Sequence, residues 1–311
     1  MRKLYDLSPR LYENIEKTAE FIKEELSKRG VSYYEVTGKV RLPVYLKCEV
    51  FDERVPCKPT GFESGSVEPV AFDTYELFKR DEIPSEAAFL YNSKCPSIST
   101  ALYTKVPSIT VSRKDVRKVW EGSGGEIEVT WKEYPFTEVL VGNLEDPVGT
   151  VFIHYDSFGG GSVDNGAAVA ITLERITEID LSKNLIVFSA PDELSDEWPI
   201  YWGYGFRHLE NEFKDVLERS EVIVAYDSIG LSEPIVTRNL EDLRELLPFR
   251  NENFLSKAVG ITSDWEKLFE IYHSDLDVPE AVNYSYASSS WEVLKKVLSI
   301  QDWSKDQAVF N

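Results

Sequence analysis

Three short apolar runs constrain this chain most. VGTVFIHYD (148–156), NLIVFSAP (184–191) and VIVAYDSIG (222–230) are nearly unbroken in Val, Ile, Leu and Phe, the pattern of strands buried on both faces. Between them, DNGAAVAITLERITEI reads as a helix, and YWGYGFRHLENEFKDVLERS contains another. Strand–helix–strand–helix–strand implies right-handed crossovers and parallel pairing. SSSWEVLKKVLSI predicts a last helix with Trp291, Leu294, Val297 and Leu298 inward. The predicted fold class is α/β, a mixed, largely parallel sheet flanked by helices.

The N-terminal half reads differently. Residues 8–30 predict a helix capped by Ser8, with Pro9 in its first turn, Gly30 at its end, and Leu11, Ile15, Ile22 and Leu26 on its buried stripe. From 35 to 135, short β-like runs such as KVRLPVYLKCEVF, AAFLYN and EIEVTW alternate with Pro, Gly and Ser, around one short helix, DVRKVWEG. The expected organisation is a main unit of 1–34 and 136–311, with 35–135 as a β-rich insertion. A chain of 311 residues with 42% apolar content can bury a core of that size.

Charge narrows the partners. With 34 Lys and Arg against 54 Asp and Glu, the net charge of -20 repels nucleic-acid backbones and anionic lipid. It favours cations wherever carboxylates converge. No apolar run is long enough for a bilayer and the N-terminus lacks a signal-peptide core, so a cytoplasmic location is expected. Self-association is left open. The three cysteines, Cys48, Cys57 and Cys95, include no CxxC pair. Cys48 and Cys57 could pair, although free thiols are the simpler expectation.

In an open α/β sheet, ligands bind beyond the carboxyl ends of the strands. Here those ends carry His154 and Asp156, Asp192 and Glu193, and Asp227, with Asp164 in the turn after the first strand. Singly, each has an ordinary explanation: a helix cap for Asp164, a hydrogen-bonded histidine for His154, loop or turn charges for the others. Together, five carboxylates in one crevice would repel one another unless a cation joins them. His273, in the loop IYHSDLDVPEAVN, adds a second imidazole, whereas His208, inside a predicted helix, reads as structural. Nitrogen and oxygen donors of this kind suit zinc, or cobalt or manganese in its place. The run GGG (159–161) is no phosphate loop: GGGSVDNG lacks the Walker lysine and the GxGxxG spacing, and its glycines serve better as a bend.

These residues resemble a known family. HYDSFGGGSVDNGAAVA is similar to the His-x-Asp…Asp-Asn signature of the dizinc aminopeptidases, the group that includes aminopeptidase Y, bacterial leucyl aminopeptidases and glutamate carboxypeptidase II. VFSAPDEL, VIVAYDSIG and IYHSDLDVPEAVN resemble its later motifs, in the same order, from about 148 to the end. Residues 35–135 resemble, more loosely, its protease-associated insertion. The resemblance implies that Asp164 bridges two zinc ions, that His154 and Asp227 complete one site, and that Glu193 and His273 complete the other. It also implies that Asp156 orients His154, that Asp192 is the general base, and that the substrate is a peptide opened from its N-terminus. Two departures accompany it. The family has Glu where this chain has the shorter Asp192, with Asp196-Glu197 as an alternative frame, and SDEWPIYWGYGF replaces the usual Gly-Leu-x-Gly-Ser. Three other readings therefore stand beside aminopeptidase: a non-catalytic metal-binding relative, a glutaminyl cyclase, and a carboxypeptidase, for which Arg207, Arg238, Arg244 and Arg250 could bind a substrate carboxylate.

Overall fold

The computed structural model describes residues 1–51 and 54–300. Twelve strands occur among them: β1 (Tyr34–Val50), β2 (Cys57–Pro59), β3 (Gly65–Val67), β4 (Ala71–Asp73), β5 (Ala88–Tyr91), β6 (Ser108–Val111), β7 (Gly125–Gly142), β8 (Gly149–His154), β9 (Asn184–Ser189), β10 (Val222–Tyr226), β11 (Ile235–Thr237) and β12 (Ala258–Thr262). The large sheet runs β1-β7-β9-β8-β10-β12-β11, with β3 also on β7. Its centre, β9-β8-β10-β12, is parallel, and β7, β1 and β11 are antiparallel to their neighbours. The α/β, largely parallel arrangement expected from the apolar runs is what the chain forms.

The strands these runs form, β8, β9 and β10, are buried along their full length, which explains why they lack alternation. The helix Ala167–Arg175 and the last helix, Tyr284–Ser299, pack on the sheet through one apolar cluster that includes Val151, Ile153, Val224 and Trp291. Phe206, Leu217 and Phe254 join a second cluster with Phe152, Val187 and Ile223.

The first long helix differs from expectation at its start. It spans Glu13–Lys28, and Tyr12 (φ 57) breaks the chain just before it. Ser8 therefore caps nothing: its hydroxyl donates to the carbonyl of Gly160 at 2.7 Å. Leu11, Ile15, Ile22 and Leu26 are all buried in the main cluster, as the stripe required. Three strands, β2, β11 and β12, have no counterpart among the strands expected from the sequence.

Residues 57–111 hold a second sheet, β2-β6-β5-β4, over its own cluster of Val50, Phe89, Ile109 and Ile127. The long β1–β7 hairpin joins it to the large sheet. Tyr34 pairs with Leu140 at one end and Val50 with Gly125 at the other, with a bulge between Tyr45 and Lys47. Both strands run across the ends of the 35–135 interval. Among the described residues, no helix is long and apolar enough to cross a membrane.

Candidate active site

Most of the site residues stand where a strand ends, and His273 comes from the loop after the helix Trp265–Leu268. His154 closes β8, Asp192 and Glu193 follow β9, and Asp227 follows β10. Asp164 lies in the irregular turn Ser162–Gly166 with φ -110 and ψ 90, so it is not the cap of the helix that begins at Ala167. The glycines make this turn feasible. Gly159 and Gly161 have φ of 51 and 60, and a Cβ on Gly160 would lie 2.1 Å from the carbonyl oxygen of Asp277. The chain can thus fold back against the 274–277 loop and bring Asp164 beside His273.

The geometry centres on Asp164. Its Oδ1 lies 3.1 Å from Nε2 of His154, and its Oδ2 lies 3.2 Å from Nε2 of His273. Asp227 Oδ1 is 3.1 Å from the same nitrogen of His154, and Glu193 Oε2 is 2.8 Å from that of His273. The residues thus fall into two groups sharing one carboxylate. All seven residues singled out from the sequence meet here. Asp196 and Glu197 do not: they pair with Arg41, and with Arg207 and Arg250, away from the cluster.

The donor chemistry fits cations between these groups. His273 Nδ1 faces the carbonyl oxygen of Thr100 at 3.2 Å, which assigns the ring proton to Nδ1 and turns the Nε2 lone pair toward Asp164 and Glu193. His154 Nδ1 faces Asp156 Oδ1 at 3.6 Å, which leaves its Nε2 toward Asp164 and Asp227. A lone pair facing carboxylates is repulsive without a cation between them. His273 Nε2, Glu193 Oε1 and Asp192 Oδ1 are buried with no hydrogen-bond partner, and His154, Asp164 and Glu193 offer ligand atoms within 4.8 Å of one another.

Electrostatics agree. Burial opposes charge on His273, but Glu193 and Asp164 outweigh it and push the imidazole up to about 10. Burial holds the Asp192 carboxyl well above the usual range, reinforced by Asp156, Asp227 and Glu193 against the attraction of His154. Burial likewise pushes Glu193 up to about 7. The cluster thus favours positive charge among its carboxylates, as protons or as a metal ion.

Several supports were not singled out in the sequence. Asp277 accepts the backbone N–H groups of Val163 and Asp164 at 2.6 and 3.1 Å, fixing the turn. Asn165 spans to β10, donating to the carbonyl of Tyr226 at 3.0 Å and accepting from the N–H of Ser228 at 3.1 Å. Arg10, fully buried, donates to the carbonyls of Tyr155 and Gly161 at 2.5 and 2.9 Å. Tyr272 stacks on His273 with centroids 3.7 Å apart. An Asp in a motif can be noticed, but Arg10 and Thr100 lie far away in sequence and carry no local signal. His208 is structural, as expected, with Nδ1 3.0 Å from Glu138.

The cluster opens into a cavity walled by Phe78, Tyr103, Tyr201, Trp265 and Phe269. Asp81, Glu82 and Glu245 also line it, and among the described residues no Lys or Arg does. Arg207 bonds Glu197 and the carbonyl of Trp202, Arg244 pairs with Glu252, and Arg250 pairs with Glu197.

No family model matches the chain, and no curated protein resembles it in sequence. Solved structures do. BSAP, a zinc aminopeptidase from Bacillus subtilis, aligns over 94% of this chain and 90% of its own, with TM-score 0.67 and 14% identity. A peptidase M28 precursor from Shewanella amazonensis aligns over 96% and 93%, with TM-score 0.62 and 14% identity. The glutaminyl cyclase of Porphyromonas gingivalis aligns over 96% and 94%, with TM-score 0.52 and 10% identity. The chain therefore has a zinc-exopeptidase fold, the one its motifs resemble. At these identities the likeness is one of fold: an M28-type aminopeptidase architecture shared with glutaminyl cyclases.

Proposed function

We propose that the protein is a zinc-dependent aminopeptidase that removes N-terminal residues from peptides. The observation that carries this reading is Asp164, whose two carboxylate oxygens each face one imidazole nitrogen. In this reading Asp164 would contribute to holding two metal ions, His154 and Asp227 would complete one site, and Glu193 and His273 would complete the other, with zinc preferred over cobalt or manganese. When bound, the metal supplies Lewis acidity and makes a water nucleophilic near neutral pH. Asp156 orients His154. Asp192, with a partnerless buried oxygen, takes the proton of the attacking water and passes it to the leaving amine nitrogen.

The cavity supports action at the amine end. Among the described residues no Lys or Arg lines the cavity to receive a substrate carboxylate, whereas Asp81, Glu82 and Glu245 offer a free α-amine opposite charge. This disfavours carboxypeptidase action. In this reading the unit of 1–34 and 136–311 carries the chemistry, while 35–135 supplies part of the cavity wall and the Thr100 carbonyl. The test is hydrolysis of amino-acid anilides and short peptides by full-length protein loaded with zinc. Chelator-sensitive hydrolysis that N-acetylation of the substrate abolishes is expected. A loaded, folded protein inert on all of them would overturn the reading. The likeness to a glutaminyl cyclase supports a second reading, ring closure of N-terminal Gln, which a peptide beginning with Gln tests in the same assay.

A further inference from the structure

We propose that Cys48 and Cys57 are a disulfide-forming pair that closes when the protein meets a thiol oxidant of the disulfide class. Their Sγ atoms stand 2.7 Å apart. Non-bonded carbon atoms rest at about 3.5–4.0 Å, and sulfur is larger. From 2.7 Å, only a short approach separates the two atoms from the ~2.05 Å of a disulfide bond. The backbone makes the meeting durable. Cys48 sits in β1 opposite Ile127 of β7, and Cys57 opens β2 opposite Val111 of β6, so each is held by its own strand pair. Both pack on the cluster of Val50, Val55, Ile109 and Val111. Both are half-buried, leaving them open to a small oxidant, whereas Cys95 is fully buried.

The exchange balances with oxidised glutathione as the oxidant. One protein thiolate attacks a glutathione sulfur and expels a glutathione thiolate. The second protein thiolate attacks the mixed disulfide and expels another. Two protein thiols become one disulfide, one glutathione disulfide becomes two glutathione thiols, and no further electron acceptor is needed. The bond would tie the β1–β7 hairpin to the small sheet, whose following segments carry Phe78 of the cavity wall and the Thr100 carbonyl that fixes His273. Its consequence is a stiffer wall, not new chemistry, so its failure leaves the peptidase reading untouched.

The test uses the full chain. Reduced protein is incubated with oxidised glutathione, quenched in denaturant with an alkylating agent, and weighed intact. A monomer with one alkylated thiol is expected, together with a digest fragment joining Cys48 to Cys57, both reversed by reductant. The oxidised form should melt several degrees higher than the reduced form. Cys57→Ser should instead retain a glutathione adduct on Cys48, because no neighbour remains to expel it. Three alkylated thiols in the wild type, adducts on both cysteines, or a cross-linked dimer would each overturn the proposal.

Discussion

Asp156 Oδ1 stands 3.6 Å from Nδ1 of His154, while Asp156 Oδ2 accepts the backbone N–H groups of Asp192 and Glu193 at 2.8 and 2.9 Å. One carboxylate thus holds the acidic pair after β9 and stands beside an imidazole at the end of β8. Asp156→Asn keeps the shape but weakens both roles. Affinity for zinc should fall by about 10–100-fold, as measured by competition with a chromogenic chelator, in protein that remains folded. Unchanged affinity would show that His154 needs no such partner.

Asp192 separates catalyst from inert relative. Asp192→Asn should lower kcat by about 10²–10⁴-fold while metal content, read by elemental analysis, stays the same. Asp192→Glu restores the length found in the resembling family and should keep or raise activity. A wild type that binds zinc but is inert, with activity appearing only in Asp192→Glu, would mean that the base has been lost.

Charge in the cavity should select substrates. With Asp81, Glu82 and Glu245 in its lining, anilides of Lys and Arg should react faster than those of Glu and Asp, on the order of 10-fold or more in kcat/KM at low salt. The gap should narrow as ionic strength rises. Equal rates, or a preference for acidic residues, would contradict the charge argument.

A pH effect follows from Glu138, buried in β7 beside the end of β9, with Ser189 and His208 as partners at 3.0 Å. Burial pushes its carboxyl up to about 7 despite His208, and the Glu138 contact raises His208 despite partial burial. A carboxyl raised on folding stabilises the fold while it is protonated, and loses that stability as pH climbs through its folded pKa. A raised histidine likewise stabilises below its unfolded pKa and loses that contribution as pH rises through the folded one. The Glu138 contribution therefore falls between about pH 4.5 and 7, and that of His208 falls as pH rises above the ordinary histidine range. Glu138→Gln removes the first and should flatten the slope by about 2–3 kcal/mol across the Glu138 range, read from urea midpoints at both ends. An unchanged slope would show that the pair does not control it.

The parallel core and its strand ends were legible because fully buried strands print as unbroken apolar runs, with chemistry at their polar ends. Other parts left weaker traces. AVGIT of β12 is a five-residue run with Gly at its centre and no period to identify it. Pro43 and Pro135 look like breakers, yet both lie inside the β1–β7 pairing, opposite Trp131 and Lys39. At Pro135, β7 has a neighbour on one side alone, since β9 reaches only Val139–Gly142, so a missing N–H is tolerated. The first helix starts later than its residues suggest because Ser8 is recruited by Gly160, 152 residues away, a long-range bond that no local cap signal encodes. Taken singly, Asp164 reads as a cap, and only the family resemblance gave it another use; the fold-back against Asp277 is what brings it beside His273.

The β1–β7 hairpin has a practical meaning for anyone dissecting this protein. Excision of 35–135 would cut β7 in mid-pair and strip Thr137 to Val139 of their partners Thr37 to Glu35. A shortened variant or a chimaera should therefore exchange the far tip of the hairpin, beyond the Tyr45–Lys47 bulge, and leave the near half as a socket into which other modules can be grafted.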